Sequence, residues 1–430
     1  MPVNSRLIAA ALCVAAVATA TRAQAQTPEP VARLTFREAI DRAIARNPSS
    51  AVAAASILRA AALVDQSRSR TGLQVNGNVT STTLNRSVRF EETTVIPRTS
   101  VLASLDVRYS LYAPAAWAQR VQAQDQAGVA ELSAAETRRQ TALAAADAYL
   151  TIIARRRVVE ANVRARDAAR AHAEQARELE NRGTGSRLNR LRAEQELSID
   201  EGLIESARLG LYRAMEALGV IVVADGPVDA TEEPVFEVPP PGGPVGGAGT
   251  AGPLRTDLQL FAAQERAAER VLTNNRKSYL PSLQGVFQPQ STYPAQLFQP
   301  RNLWRALLVA DIPIFDNGVR AAEARVRRAA VDTAKAQLTA QTTVVASEER
   351  ASREAVASAE RELTSVRAAA SQAQEVVTIV NVSFRAGAAT NIEVIDAERR
   401  ARDADTSVAV AEDTLRRAKF DLLNAVGRFP

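Results

Sequence analysis

The chain contains 430 residues, with 53 Lys and Arg against 48 Asp and Glu, one His, one Cys and only 4% aromatic residues. One His and one Cys cannot form a zinc cluster or a disulfide framework, so no metal site and no cofactor are expected. Charges of both signs alternate along the sequence without a basic block, which argues against nucleic-acid binding.

The N-terminal segment, residues 1–25, is predicted to be a signal peptide. Arg6 precedes an apolar run from Leu7 to Ala20 that is too short to cross a bilayer, and Ala23-Gln24-Ala25 forms an A-x-A cleavage site. The mature chain is therefore expected to begin near Gln26. No later stretch has about 18 consecutive apolar residues, so no transmembrane helix is expected after the signal.

The first half of the mature chain opens with a helix and two strands. Thr35 and Glu38 have the spacing of a capping box, and the helix that they start is expected to end near Arg70. Apolar and polar residues then alternate at about 73–84 and 101–112. This alternation predicts two strands, each with one apolar and one polar face, joined by an exposed polar loop.

A long helix and a shorter one complete the first half. Pro114 suits a first helical turn, and no strong break follows until Arg182-Gly183. A second helix is predicted from about Arg187 to Leu218, with Gly219 expected to end it. The long helix would extend roughly 100 Å at about 1.5 Å per residue, so it can lie beside two shorter helices placed end to end. Because Ala and Val dominate the apolar residues, such helices need closely packed partner helices.

The second half shows the same order of elements after a break. Residues 225–253 are too rich in Pro and Gly for a regular element and are predicted to be a linker. Pro289 is expected to limit the first strand after it. The elements predicted in this half are strands at about 283–288 and 303–315 and helices at about 256–277, 319–385 and 391–426.

Internal similarity relates the two halves. Gly183–Leu188 aligns with Gly387–Ile392 at an offset of 204, and Tyr109–Tyr112 aligns with Ile312–Phe315 at an offset of 203. A nearly constant offset predicts a duplication. The chain is therefore divided into two structural repeats, each ordered helix, strand, strand, long helix and helix, at 26–224 and 254–430.

The four predicted strands have the length and alternation of tilted membrane strands. Four strands cannot close a barrel, and edges exposed to lipid leave backbone groups unpaired, so other copies of the chain must complete the sheet. Three copies supply twelve strands. Ten of the 18 aromatic residues lie in the two windows around the strands, as expected for interfacial girdles. An ordinary hydrophobic core under a soluble sheet is the alternative.

Four short motifs occur in a fixed order around this pattern. They are Leu34–Ile40 followed by Ala43, Asn47 and Pro48; Tyr279–Leu283; Ile314–Gly318; and Phe384–Gly387 leading to Val394–Glu398. In this order they resemble the outer-membrane efflux protein family, which is the TolC-like family. The resemblance covers nearly all of the mature chain. It implies a mixed fold, in which a homotrimer forms a twelve-stranded membrane β-barrel and a twelve-helix α-helical barrel that reaches through the periplasm.

The same resemblance implies partners and a location. The tip of the tunnel would dock on a periplasmic adaptor, or membrane fusion protein, served by an inner-membrane pump or ABC exporter. The barrel would lie in outer-membrane lipid.

Three glycines, Gly183, Gly185 and Gly387, lie in the turns that join each long helix to the shorter one after it. Glycine permits positive φ and close backbone approach there, and such residues often serve only as helix C-caps. In a helical tunnel, however, these turns form the free end farthest from the barrel. Mostly from the resemblance, we expect them to dock the adaptor.

Two acidic residues follow the second turn. Glu393 and Asp396 are three positions apart and share a helix face, and the resemblance places them at the periplasmic aperture, where a trimer would form two acidic rings. Local pairing of Asp396 with Arg399 or Arg400 is the alternative. The family pattern also has a basic residue, associated with locking the mouth, where this chain has Ala389.

Polar residues on the predicted strands are further candidates. Asp106, Arg108 and Asp311 would line the lumen of a barrel, although rim positions fit them equally. His172, on the first long helix, is predicted to face solvent.

Three classes of function are compared. A passive export conduit in the outer membrane is favoured, and it must take its energy from a partner because no G-x-x-x-x-G-K-[ST] loop occurs. A soluble periplasmic coiled-coil scaffold with a small sheet domain is the alternative. An enzyme is least expected, because paired carboxylates alone define no pocket for acid–base chemistry.

Overall fold

The computed structural model describes residues 31–238, 255–296 and 300–429. The expected signal peptide at 1–25 and the Pro/Gly-rich part of the expected linker lie outside these ranges. The boundaries of the two expected repeats therefore stay predictions, while the order of elements within each half is now known.

Residues 31–238 form four helices and six strands. Four of these strands are very short and lie outside the main sheet. The elements in chain order are β1 (Ala32–Leu34), α1 (Phe36–Arg46), α2 (Pro48–Ser69), β2 (Gln74–Thr83), β3 (Val88–Phe90), β4 (Thr93–Ile96), β5 (Thr99–Tyr112), α3 (Pro114–Asn181), α4 (Arg187–Val222) and β6 (Val228–Ala230).

From residue 255 onward the order is helix, two strands, long helix and helix. The elements are α5 (Thr256–Asn274), a 3₁₀ turn (Asn275–Tyr279), β7 (Ser282–Tyr293), β8 (Asn302–Asp311), α6 (Val319–Arg385) and α7 (Asn391–Ala425). Both long helices are therefore where the sequence predicts them, at 68 and 67 residues.

The expected first helix is two helices. Thr35 and Glu38 form the predicted capping box, but α1 ends at Arg46 and Asn47 adopts an extended conformation. Pro48 is the reason, since a proline disfavours helical geometry in the residue before it and itself fits a first helical turn. The side chain of Asn47 then caps α2 by accepting a hydrogen bond from the Ser49 N–H at 3.0 Å.

The end of α4 also differs from the prediction. Gly219 does not terminate the helix, which continues to Val222 and ends on Val223 in the left-handed region. A Cβ atom at position 219 would overlap the carbonyl oxygen of Gly226. The glycine is thus required by the close passage of the following loop and not by a helix end.

The four long strands form one antiparallel sheet in the order β2-β5-β7-β8. β5 of the first half pairs with β7 of the second, with Val107 opposite Phe287. The sheet therefore joins the two halves. Within the described residues, β2 and β8 are its edges, and each pairs with a neighbouring strand on one side only.

Two strands differ in length from the predictions. β7 continues through Pro289 to Tyr293. Its pairing with β5 skips Gln288 and Pro289, whereas its pairing with β8 is continuous and places Pro289 opposite Trp304. The proline is thus accommodated at an interruption of one ladder. β8 stops at Asp311 instead of 315, just before Pro313. The expected polar loop between β2 and β5 contains the β3–β4 hairpin.

The helices pack side by side along the two long helices, α3 and α6. α3 lies along α4 and also contacts α2, α5 and α7, while α6 lies along α7 and α5. This agrees with the expectation that a long helix accompanies shorter ones. In residues 31–238, 255–296 and 300–429, no helix is both long and apolar enough to cross a membrane.

The largest buried cluster surrounds the middle of α3 and was not predicted. Tyr149, Leu150 and Ile153 of α3 pack against α1, β1, β6 and the C-terminal ends of α4 and α7. β1 and β6 pair in parallel, with Leu34 opposite Ala230, so a strand forms inside the segment expected to be linker. Phe36, Phe236, Phe420 and Phe429 add edge-to-face and tilted aromatic contacts.

Candidate functional site at the helix turns

Both long helices end in the same type of turn. After α3, the Gly183 N–H donates to the Glu180 carbonyl at 2.9 Å and the Thr184 N–H donates to the Leu179 carbonyl at 3.0 Å. After α6, Gly387 donates to Phe384 at 3.0 Å and Ala388 donates to Ser383 at 2.8 Å. These are Schellman motifs, and Gly183 and Gly387 have the positive φ, +75° and +77°, that the motif places on glycine.

Gly185 serves the first turn differently. A Cβ atom there would lie 2.9 Å from backbone atoms of Leu179 and Glu180, so the absence of a side chain lets the chain pass close to the last turn of α3. Gly387 has open space around its Cα. The glycines thus have capping and close-approach roles, and adaptor docking stays a prediction.

The two turns lie together at the end of the helices remote from the sheet. Asn391, the first residue of α7, donates from Nδ2 to the carbonyl of Asn189, in the first turn of α4, at 3.3 Å. The other ends of the long helices, at Pro114 and Val319, follow β5 and β8 closely. The sheet and the turns are therefore separated by the length of a long helix, about 100 Å at 1.5 Å per residue.

His172 is not solvent-facing, as the sequence suggested; it is 4% exposed. Its Nε2 lies 2.9 Å from Oδ1 of Asn391, and its ring packs edge-on against Phe384 at 5.6 Å between centroids. Burial lowers the pKa of His172, so the neutral ring is favoured. The prediction was wrong because the residues that cover His172 come from the second half of the chain, more than 200 positions away.

Glu393 and Asp396 share an exposed face of α7, as predicted. Glu393 also closes a capping box, in which its carboxylate accepts a hydrogen bond from the Thr390 N–H at 2.6 Å, and this bond lowers its pKa. Asp396 pairs with Arg400 at 2.9 Å. Local pairing is thus present within one chain, and the acidic rings stay a prediction.

A buried group of charges lies two to three turns beyond, between α4 and α7. Glu196 and Asp200 of α4 are 3% and 4% exposed. Arg399 donates from Nε to Glu196 Oε1 at 2.8 Å, and Arg402 donates from Nη1 to Asp200 Oδ1 at 2.6 Å. We call Glu196, Asp200, Glu398, Arg399 and Arg402 the α4–α7 charge cluster.

Sequence reasoning missed this cluster. A signal was present, since Glu196 and Asp200 occupy the same face of α4 as Ala193 and Ile204, both of which are buried. Acidic residues at helical spacing on a core-facing stripe indicate buried ion pairs. The partner arginines of α7 cannot be identified from that pattern alone.

The candidate lumen residues lie on one face of the sheet. Asp106 pairs in register with Asn76, accepts a hydrogen bond from Gln288 and lies 3.8 Å from Arg108. Arg305 of β8 donates to Gln288 at 3.0 Å, which continues the polar row across three strands. Asp311 follows Arg305 by an even number of positions and so belongs to the same face, at the end of β8. The opposite face carries Val107, Phe287 and Ala306.

The fold matches solved outer-membrane channels over 91% of the chain. VceC, an outer membrane protein from Vibrio cholerae, has a TM-score of 0.76 at 16% identity, with 96% of its chain covered. CusC, whose structures concern transmembrane channel formation, has a TM-score of 0.80 at 14% identity, with 92% covered. The open MtrE outer membrane channel of Neisseria gonorrhoeae has a TM-score of 0.75 at 16% identity, with 88% covered.

The fold is thus the one found in these outer-membrane channels. Residues 251–428 match the family described as outer membrane efflux protein, which confirms the resemblance inferred from the sequence. No curated protein sequence matches the chain.

Proposed function

We propose that this chain forms a homotrimeric channel in the outer membrane and acts as the exit duct of a tripartite efflux or secretion system. Substrates would pass through it without catalysis, from a periplasmic adaptor supplied by an inner-membrane pump or ABC exporter. The turns around Gly183, Gly185 and Gly387 would meet the adaptor, and Glu393 and Asp396 would line the periplasmic aperture.

The observation that carries the proposal is the open four-stranded sheet. β2 and β8 present unpaired backbone edges in the described chain, and such edges invite pairing with another strand. If β8 of one copy pairs with β2 of the next, three copies close a ring of twelve strands. The polar row through Asp106 and Arg305 would then face the lumen.

The apolar face of the same sheet favours the channel over a soluble scaffold. Val79 and Trp304 are 72% and 67% exposed, and Leu105 and Leu308 are also exposed. A contiguous apolar surface of this kind marks a site of contact with lipid or another protein. Lipid is the partner that fits an apolar band on one face and polar residues on the other.

The first test is the mass of the mature protein extracted from outer membranes, measured by light scattering with correction for bound detergent. We expect a value near three chains, because four strands per chain leave two edges that only further copies can close. A monomer that stays in solution without detergent would refute the channel and favour the scaffold.

The aperture is tested with the double variant Glu393→Gln and Asp396→Asn in a planar bilayer. Loss of both acidic rings is expected to reduce the preference for cations over anions by about twofold or more. Gln can still close the capping box with Thr390, so the start of α7 should be preserved. Breaking the exposed Asp396–Arg400 pair should cost only about 0.2–0.5 kcal/mol.

The matched control is Glu178→Gln, which removes an exposed carboxylate from the last turn of α3 near the same end of the molecule. Its ion selectivity should equal that of the unmodified channel. Equal selectivity in the double variant and the unmodified channel would contradict the placement of Glu393 and Asp396 at the aperture.

A further inference from the structure

The α4–α7 charge cluster surrounds a small cavity where four helices meet. The cavity has a volume of about 100 Å³. Its lining includes the following charged or polar side chains: Arg164 of α3; Glu196 and Asp200 of α4; Gln374 of α6; and Glu398, Arg399, Arg402 and Asp405 of α7. Charged side chains from both halves of the chain therefore meet at one partly open cavity, two to three helical turns from the helix turns.

The cluster joins α4 to α7 through charged hydrogen bonds. Glu196 accepts from Arg399 through both carboxylate oxygens and also lies 3.3 Å from Nη1 of Arg402. The same Arg402 nitrogen donates to Asp200. Two arginines of α7 thus hold two buried carboxylates of α4, and the formal charges of these four groups balance.

Glu398 is the fifth member, and it is not balanced. Its Oε2 atom is buried and has no hydrogen-bond partner in the described structure. Both arginines of the cluster are engaged by Glu196 and Asp200, so an ionised Glu398 adds a third negative charge beside two that are already paired. Burial, together with the charges of Asp200 and Glu196, raises the pKa of Glu398 to about 7.

We propose that Glu398 is a positioning residue whose carboxyl group, by gaining or losing a proton, sets how firmly α7 is held against α4 beside the turns. The neutral form leaves a balanced cluster and a firm contact. The ionised form repels Asp200 and Glu196 and weakens the contact. That this contact governs opening of the periplasmic end rests on the proposed channel function.

The direction of the pH effect follows from linkage. A carboxyl group with a raised pKa favours the packed arrangement when it is protonated, and this stabilisation is lost as pH rises through the interval from the ordinary value, 4.5, to about 7. The contact should therefore be firm in mild acid and loose in mild base. The other charged groups that line the cavity with Glu398 are Arg164 of α3, Glu196 and Asp200 of α4, and Arg399, Arg402 and Asp405 of α7.

The test is hydrogen exchange of the full-length protein in detergent, measured by mass spectrometry at pH 6.0 and 8.5 and corrected for intrinsic rates. The peptides of interest cover residues 193–204 and 394–405. If Glu398 regains its ordinary pKa on local opening, the opening equilibrium should rise by about tenfold between the two pH values. Burial lowers the pKa of His172 below its ordinary value, which moves the titration of that residue toward the acidic side of this range.

Three variants complete the test. Glu398→Gln should remove the pH dependence, with exchange at pH 8.5 as slow as that of the unmodified protein at pH 6.0. Glu398→Asp keeps a carboxyl group and should keep a pH dependence. Glu375→Gln removes an exposed carboxylate from α6 beside the cavity residue Gln374 and should leave the unmodified behaviour intact.

The proposal is overturned if the unmodified protein shows no pH dependence in these peptides, or if Glu398→Gln shows the same dependence. Conductance in planar bilayers at both pH values is read separately. Larger conductance at pH 8.5 that disappears in Glu398→Gln supports a role at the mouth. If hydrogen exchange depends on Glu398 but the protein shows no conductance, the proton-dependent contact is supported and the channel function is refuted.

Discussion

Replacing Arg255 by alanine is expected to lower the free energy of unfolding by about 3–5 kcal/mol, because it leaves a buried carboxylate without its cation. Arg255 is 7% exposed and binds both oxygens of Asp257, at 3.1 and 2.7 Å. It also donates to Glu348 at 2.9 Å and to the carbonyl of Ala425 at 3.3 Å. This one side chain therefore connects the start of α5 to the middle of α6 and to the end of α7.

The measurement is chemical unfolding followed by helical circular dichroism at pH 7. Burial alone would raise the pKa of Asp257, but hydrogen bonds and charge from Arg255 hold it below its ordinary value of 3.8. The contribution of Asp257 to the free energy of unfolding is therefore complete above pH 3.8 and is lost as pH falls through the lowered pKa. At pH 7 the full difference between the two proteins should be seen.

Two further variants separate the causes. Arg266→Ala removes an exposed arginine from the same helix and should change stability by less than about 0.5 kcal/mol. Arg255→Met combined with Asp257→Leu replaces the buried pair by apolar groups and should recover most of the loss. A loss in Arg266→Ala as large as that in Arg255→Ala would show that burial of the ion pair is not the cause.

Replacing Tyr149 by alanine is expected to destabilise the protein by about 3–5 kcal/mol, since it empties the centre of the largest core. Tyr149 is 0% exposed and packs edge-on against Phe36 at 5.4 Å. Its hydroxyl donates to the carbonyl of Glu232 at 3.0 Å and accepts from the N–H of the same residue at 3.1 Å. The side chain therefore both fills the core and fixes the segment after β6.

Tyr149→Phe separates these two roles. It keeps the ring and should cost only about 1–3 kcal/mol, from the backbone groups of Glu232 that lose their partner. Limited proteolysis should then cut more rapidly near residues 231–238. Tyr212→Ala, at a position 52% exposed on α4, is the control and should be nearly neutral. Equal losses for Tyr149 and Tyr212 would contradict the role of the buried core.

Local patterns predicted much of the fold. Helix starts and turns depend on contacts between residues that are close in sequence, so the sequence located them well. Examples are the capping box of Thr35, the position of Pro114 and the glycines of the two turns. The alternation of apolar and polar residues likewise predicted the strands, because successive side chains of a strand point to opposite faces of the sheet. The strand that contains Pro289 was predicted too short. The proline is accommodated where the pairing of β7 with β5 is interrupted, and a sequence pattern does not reveal which strand lies beside it.

Contacts between the halves were not predictable from these patterns. His172 looks like a surface residue on its own helix and is buried only because Asn391 and Phe384 cover it. Arg399 appeared as a partner for Asp396 and instead binds Glu196 of α4. The core around Tyr149 draws on six separate elements, and no single window of sequence contains its pattern.

The parallel pairing of β1 with β6 bears on the order in which the chain folds. Ala32 lies opposite Val228, so the paired strands are 196 residues apart in the sequence. Joining two ends across so long a loop has an entropic cost, and three residue pairs alone do not offset it. The ladder can persist only after α3 and α4 have packed and brought both segments to the middle of α3. Closure of the first half is therefore a late event in folding, and the antiparallel packing of α3 and α4, which needs only a five-residue turn to form, comes before it.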